Sequence, residues 1–237
     1  MIKRIITGII ACTISIGFIG CDEPVQNSNE NIVASQQQVE KDNSKSIEDS
    51  IKKLNEAKKI SIEENVFAIN NSYNVYLDKE KFGTISGKYI NITGDRFSLK
   101  NENGLEIASE KQIKRWGIKL NRLAEVYDYN GDVSGYIGEE KIEDYFKIGY
   151  KFHFYDKDGN ELGYIRKQYF SILDHFDIYN IKNEIVYTVD KDLTIVADKY
   201  KINVIDNKDI PVDQAIFATA ILHAIEQSKN NEDQGEW

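Results

Sequence analysis

Cysteine is nearly absent from this chain. There are two in 237 residues, Cys12 and Cys21, and both precede the body of the protein. A disulfide framework, a Cys-ligated zinc site and a cysteine nucleophile in the folded part are therefore excluded. Histidine is almost as scarce, at three. No two of His153, His175 and His223 have metal-ligand spacing, and the chain has no HExxH, P-loop, Gly-x-Ser-x-Gly elbow or dinucleotide fingerprint. No cofactor and no metal are expected on these grounds. Proline is rare as well, at 2, while hydrophobic residues make up 41% and aromatics 11%. Collagen-like and wholly disordered chains are thereby excluded. Bases are outnumbered, 30 against 39 acids, for a formal charge of -9. Phosphate affinity rests on clustered Lys and Arg, so nucleic acid is not an expected partner.

What is present begins with an address. Lys3 and Arg4 precede an apolar run from Ile5 to Ile19, then Gly20 and Cys21. A basic start, an h-region of ~15 residues and a small residue at the cleavage point make a secretory signal, too short for a comfortable membrane span. Phe18-Ile19-Gly20-Cys21 resembles a bacterial lipobox. That resemblance implies diacylglycerol on the Cys21 sulfur, cleavage before it and acylation of the new amine, which anchors the chain in a lipid bilayer. Several acyl chains make a firm anchor where one does not. Asp22, next to the cysteine, resembles an inner-membrane retention signal of enteric bacteria. The expected location is the cell envelope, with inner against outer membrane left open.

Asp22 to about Ser46 is polar throughout and reads as a flexible tether. Between Ser46 and Glu64, Ile47, Ile51 and Leu54 recur at i, i+4 and i+7, which predicts one exposed helix starting near Ser46 or Asp49. Ser50 and Lys53 match the Ser-x-x-Lys of penicillin-recognising enzymes, but the partner motifs are missing. The expected organisation is a signal peptide over 1–20, a lipidated tether with a short exposed helix over 21–63, a β domain over 64–228 and a disordered polar tail over 229–237.

The β domain carries a recurring hairpin. Apolar runs flank a polar turn at Gly104, Gly131, Gly159 and Asn183. Gly and Asn tolerate positive φ, so these are strong hairpin signals. A fifth pair of runs, Leu193 to Ala197 and Lys199 to Ile205, closes the series. Many short antiparallel strands make a sandwich or a barrel. Asp156-Lys-Asp158-Gly159-Asn160 also invites a calcium loop, but positions one and twelve would be Phe154 and Ile165, which cannot ligate. Near the end the period changes. Pro211 opens a helix, and Ala215 to Ile225 is apolar on nearly every face. Such a helix must be surrounded, and ~11 residues cannot span a bilayer. A sheet curled around one apolar helix is the economical solution.

The segment Ser109 to Arg122 is the one dense basic patch. As a helix it gathers Lys111, Lys114, Arg115, Lys119 and Arg122 on one face; as a strand Trp116, Ile118 and Leu120 alternate with polar residues. A short helical turn to about Arg115, followed by a strand, is expected. Lys111, Lys114, Arg115 and Lys119 are the candidate contacts for an anionic ligand, or a solvated face balancing Glu106 and Glu110.

The Phe/Tyr-x-Asp-x-x-Gly-Asn hairpins, the Arg166-Lys167-Gln168-Tyr169-Phe170-Ser171 linker and the closing Pro-Val-Asp213-Gln-Ala-Ile-Phe-Ala-Thr-Ala-Ile helix resemble the LURP-one-related proteins of the tubby C-terminal-like superfamily. The resemblance covers roughly Tyr73 to Gln227. It implies a mainly β fold, a closed antiparallel barrel of about twelve strands around a central C-terminal helix. The family has no shared catalytic residues to carry over. The expected function is a non-enzymatic binding or scaffold module of the envelope, for lipid head groups or a protein partner. An envelope hydrolase whose carboxylates meet only in the fold is the alternative, and a structural lipoprotein with no ligand is the third.

Overall fold

The computed structural model describes residues 28–65, 72–88, 96–113, 123–139, 151–166, 175–193 and 197–233, the side chains over 35–224 of these, with those of Lys88, Ile113, Glu139 and Leu193 left out. The chain divides into two units, Met1–Glu40 and Lys41–Trp237. The first is described only through the N-terminal part of helix α1 (Ser28–Glu56). The second contains twelve strands: β1 (Lys59–Glu64), β2 (Ser72–Leu77), β3 (Glu80–Lys88), β4 (Arg96–Asn101), β5 (Glu106–Ile113), β6 (Leu123–Asp128), β7 (Val133–Glu139), β8 (Lys151–Asp156), β9 (Glu161–Arg166), β10 (His175–Asn180), β11 (Ile185–Leu193) and β12 (Asp198–Val204). Helix α2 (Val212–Asp233) follows.

Each strand pairs antiparallel with its sequence neighbour, and β1 pairs β12, Lys59 opposite Asn203. The result is a closed up-and-down barrel, the mainly β fold expected. Period-two alternation sends one set of side chains inward: Ile60 and Ile62 from β1, Val75 from β2, Phe152 and Phe154 from β8, Val189 from β11 and Ile202 from β12 are all buried. Along the axis lies α2. Ala215, Ile216, Phe217 and Ala218 are fully buried, and Leu222 and Ala224 nearly so. Its alanines keep the cylinder thin enough for the surrounding wall to close.

Among the described residues there are five hairpin turns, and four of them are built alike. In the turns after β4, β6, β8 and β10, the side-chain oxygen of Asn101, Asp128, Asp156 or Asn180 accepts hydrogen bonds from the backbone N–H groups two and four residues on. The residue three on, Gly104, Gly131, Gly159 or Asn183, has φ between 64 and 84°. That region penalises a Cβ, and Asn is the usual exception to Gly there. Asp156 holds the turn through these bonds; its carboxyl is held below the usual range, first by the Asn160 side-chain amide. The β2–β3 turn differs. Asp78 and Lys79 both have positive φ, and the Asp78 carboxylate accepts from the N–H of Lys59 at 3.0 Å. Every one of the five hairpins carries a β-bulge, at Val75/Tyr76, Leu99/Lys100, Val126/Tyr127, Phe154/Tyr155 and Ile178/Tyr179. Bulges increase bend and twist, and their repetition at one level curls the sheet into closure.

Several expected boundaries move. The helix expected from Ser46 ends at Glu56 and begins at Ser28, within the stretch read as tether. Gln, Glu and Lys lose little rotamer freedom in a helix, so the polar turns propagate from the packed ones. Its apolar stripe is not exposed: Leu54 and Ala57, just beyond the helix, are buried in the core, with Ile47 and Ile51 packed against it. Ser50 serves this contact, donating to the Ser46 carbonyl at 2.7 Å and accepting from Asn101 at 3.0 Å. The barrel begins at Lys59, not Glu64. Ser109 to Ile113 belong to β5 rather than to a helical turn, because Ala108 and Glu110 must pair with Leu99 and Phe97. Leu193 ends β11 instead of opening a fifth hairpin. Helix α2 runs to Asp233, into the residues read as a disordered tail. Among the described residues no helix is long and apolar enough to cross a membrane.

Candidate functional site

The five hairpin turns leave the barrel at one end, and α2 enters there after β12. The opposite end is marked by the last residue of β1, the first of β12 and, on α2, a residue about 17 Å up the axis from Val212. At that rim the inward positions stop being apolar. After Ile60 and Ile62 comes Glu64. After Val189 comes Lys191, paired across the sheet with Tyr200. Asp198 continues the inward series of Tyr200 and Ile202, and Tyr73 precedes Val75. His223 of α2 reaches this polar ring with none of its surface exposed.

The contacts are specific. His223 Nε2 lies 3.0 Å from Asp198 Oδ2, and Nδ1 lies 3.0 Å from the Tyr73 hydroxyl. A carboxylate only accepts, so Nε2 carries the proton and Nδ1 accepts from Tyr73. The rings of Tyr73 and Tyr200 pack against the imidazole, with centroids at 5.6 and 5.3 Å. The Lys191 ammonium stands 3.0 Å from the same Asp198 oxygen, its side chain only 5% exposed. Glu64 accepts from the Asp198 backbone N–H, and one donor atom each from Glu64, Asp198 and His223 falls within 4.8 Å of the others. Burial pushes the His223 pKa down, with Lys191 acting in the same direction and Glu64 and Asp198 opposing. A neutral ring with both nitrogens engaged fits this environment. Asp198 is 24% exposed, so the cluster is polar inside and open to water at its edge.

The residues singled out in the sequence lie elsewhere. Cys21, Lys114, Arg115 and Lys119 fall outside the described residues. Lys111 is exposed on the outer face of β5, opposite Arg96 on one side and Glu125 on the other. Glu106 pairs with Arg96 at 3.3 Å. Glu110 is not part of a solvated face: it points into the barrel, 1% exposed, and accepts from the Phe97 N–H at 3.0 Å. His153 sits on β8 against Glu161 at 2.8 Å. His175 opens β10, and its pKa is raised, first by the hydrogen bond to Asp190.

A second concavity lies at the turn end. A groove of about 710 Å³ runs between α1 and the β2–β3 and β4–β5 turns. Asp42, Asp49, Glu56, Asp78, Glu80 and Glu102 line it against Lys45, Lys53 and Lys81, so its charge is predominantly acidic. Compared with family models, curated proteins and solved structures, the chain matches none.

Proposed function

We propose that the chain is a lipid-anchored protein of the bacterial cell envelope whose barrel is a non-enzymatic binding or scaffold module of tubby-like plan. The observation that carries this reading is the filled axis. Ala215, Phe217 and Ala218 of α2 occupy the space in which a ligand-holding barrel would keep its cavity. Recognition then falls to the outer face, the rim and the grooves. Twelve strands around a C-terminal helix are also what the LURP-one-related resemblance implies, and the lipobox at Cys21 supplies the anchor.

The partner surface in this reading is the basic segment Lys111, Lys114, Arg115 and Lys119, facing anionic lipid or an acidic envelope partner. Each basic group near an anionic membrane contributes ~1 kcal/mol, falling off within a Debye length. That is weak alone and adequate beside a covalent anchor. An envelope hydrolase is favoured by one observation, the approach of Glu64 to Asp198. The Lys191 ammonium on Asp198 counts against it, because it holds that carboxylate as an ion-pair partner.

Two experiments test the anchor and the partner surface. Metabolic labelling with a palmitate analogue should mark the wild type and not Cys21→Ser; equal labelling of both would remove the anchor. The unlipidated Cys21→Ser chain should co-sediment with anionic but not neutral vesicles, and lose this at high salt. Binding that persists after all four bases become Gln would show that they are ordinary surface.

A further inference from the structure

The polar ring at the rim has the composition of a metal centre. It brings one imidazole and two carboxylates together at the end of a barrel whose axis is filled by the mainly apolar α2. We infer that Glu64, Asp198 and His223 form a binding site for a divalent transition-metal ion of the zinc or manganese class, with Tyr73 orienting the imidazole and Lys191 occupying the cation position when the metal is absent. This inference is independent of the membrane-module reading.

The geometry fits in several respects. Two donors each about 2.1 Å from one ion lie about 3.0 Å apart at the right angle of an octahedral shell and about 3.4 Å apart at the tetrahedral angle of zinc. The separation of His223 Nε2 from Asp198 Oδ2 is 3.0 Å. Glu64 brings the third donor within 4.8 Å of both, so a small side-chain swing closes a three-ligand face. The remaining positions turn toward the partly exposed edge, where water completes the shell.

The outer shell is in place as well. A ligating histidine almost always donates its other ring N–H to a fixed partner, which sets the tautomer. Tyr73 stands 3.0 Å from Nδ1. On binding, the ring proton moves from Nε2 to Nδ1 and is donated to the Tyr73 oxygen, so no proton need leave the imidazole. Packing between the Tyr73 and Tyr200 rings fixes the plane of the ligand.

The charge count points the same way. Two carboxylates face one ammonium, so with His223 neutral the cluster holds one net negative charge, and its two carboxylates balance a divalent ion once Lys191 turns aside. Lys191 is also the competitor. Its ammonium is 3.0 Å from the oxygen that the metal needs, so it must turn aside. The donor set selects the metal. The imidazole suits zinc and its transition-metal neighbours and the two carboxylates suit manganese, whereas calcium and magnesium prefer an all-oxygen shell.

The test uses the full chain in mild detergent, stripped with a chelator and titrated calorimetrically with Zn²⁺, Mn²⁺ or Ca²⁺ alone. One saturable site is expected for Zn²⁺ or Mn²⁺, with Ca²⁺ weaker. His223→Gln and Asp198→Asn should abolish it. Tyr73→Phe should weaken it by about 10–100-fold, the usual effect of removing an outer-shell partner, and Lys191→Met should tighten it. Far-UV circular dichroism checks that each variant folds. Should a ligand variant fail to fold, the opposite changes in Tyr73→Phe and Lys191→Met decide the matter. No saturation through the millimolar range, binding that survives His223→Gln in a folded chain, or affinity unchanged in both of the other variants would overturn the assignment.

Discussion

Tyr73 and His223 are 150 positions apart in the chain and joined by a 3.0 Å hydrogen bond inside the barrel. The bond ties the central helix to the wall at the rim. Tyr73→Phe removes the hydroxyl and keeps the ring. It leaves a buried imidazole nitrogen without its donor, which costs ~1–3 kcal/mol. Urea unfolding of the full chain should show that loss as a lower midpoint with unchanged slope.

Phe217 and Ile221 lie one turn apart on α2 but are not equivalent. Phe217 is fully buried, whereas Ile221 is only partly so. Phe217→Ala should therefore cost ~3–5 kcal/mol, the range for deleting a core aromatic, and Ile221→Ala distinctly less. Equal losses in urea unfolding would mean that the helix is not seated as described.

Stability should fall on mild acidification. Burial holds the His223 pKa below its ordinary value, so the folded chain binds this proton less well than the unfolded chain. The stability from the neutral ring is fully present above the unfolded pKa, near 6.5. It is lost as pH falls through the folded pKa, at up to ~1.4 kcal/mol per pH unit. The groups facing the ring are Glu64, Tyr73, Lys191, Asp198 and Tyr200. His175 acts in the opposite direction, since its raised pKa stabilises below the ordinary value and the effect fades as pH rises through the folded one. Comparing wild type with His223→Gln from pH 7.5 down to 5 isolates the buried ring. The variant should be the less pH-dependent of the two.

Gly135 is required by its neighbours rather than by its φ. A Cβ there would stand 2.2 Å from Gln214 Nε2 and 2.5 Å from the Tyr155 carbonyl oxygen. Gly135→Ala should thus displace α2 from the wall, at the ~1–3 kcal/mol typical of overpacking. Gly131→Ala meets no steric contact and costs only its positive φ. A difference between the two in thermal unfolding, with Gly135→Ala the worse, is the expected result.

The turns were readable because their requirement is local. A positive φ favours Gly or Asn, so Gly104, Gly131, Gly159 and Asn183 declare themselves, whereas Asp78 and Lys79, also at positive φ, carry no such mark. Helix α2 was readable because apolarity on all sides admits no exposed solution. Strand β1 was missed although Lys59-Ile60-Ser61-Ile62-Glu63 alternates cleanly, because the i, i+4, i+7 spacing of Ile47, Ile51 and Leu54 was extended across it. The rim cluster was not visible, since Glu64, Tyr73, Lys191, Asp198 and His223 meet only when the ring closes. One signal did exist. Glu64 and Lys191 occupy inward positions of strands whose preceding inward residues are Ile62 and Val189, and a charge at such a position needs a partner.

The seam between β1 and β12 sets a schedule for assembly. Lys59 meets Asn203, so the cylinder stays open until almost the whole chain is available. Its apolar lining stays uncovered until Ala215 to Ala224 arrive to fill it. Contacts of such long sequence separation fold slowly and leave strand edges exposed in the interval. A chain halted before Val212 would consequently hold every strand and still be an unfilled shell, degraded by protease where the complete chain resists.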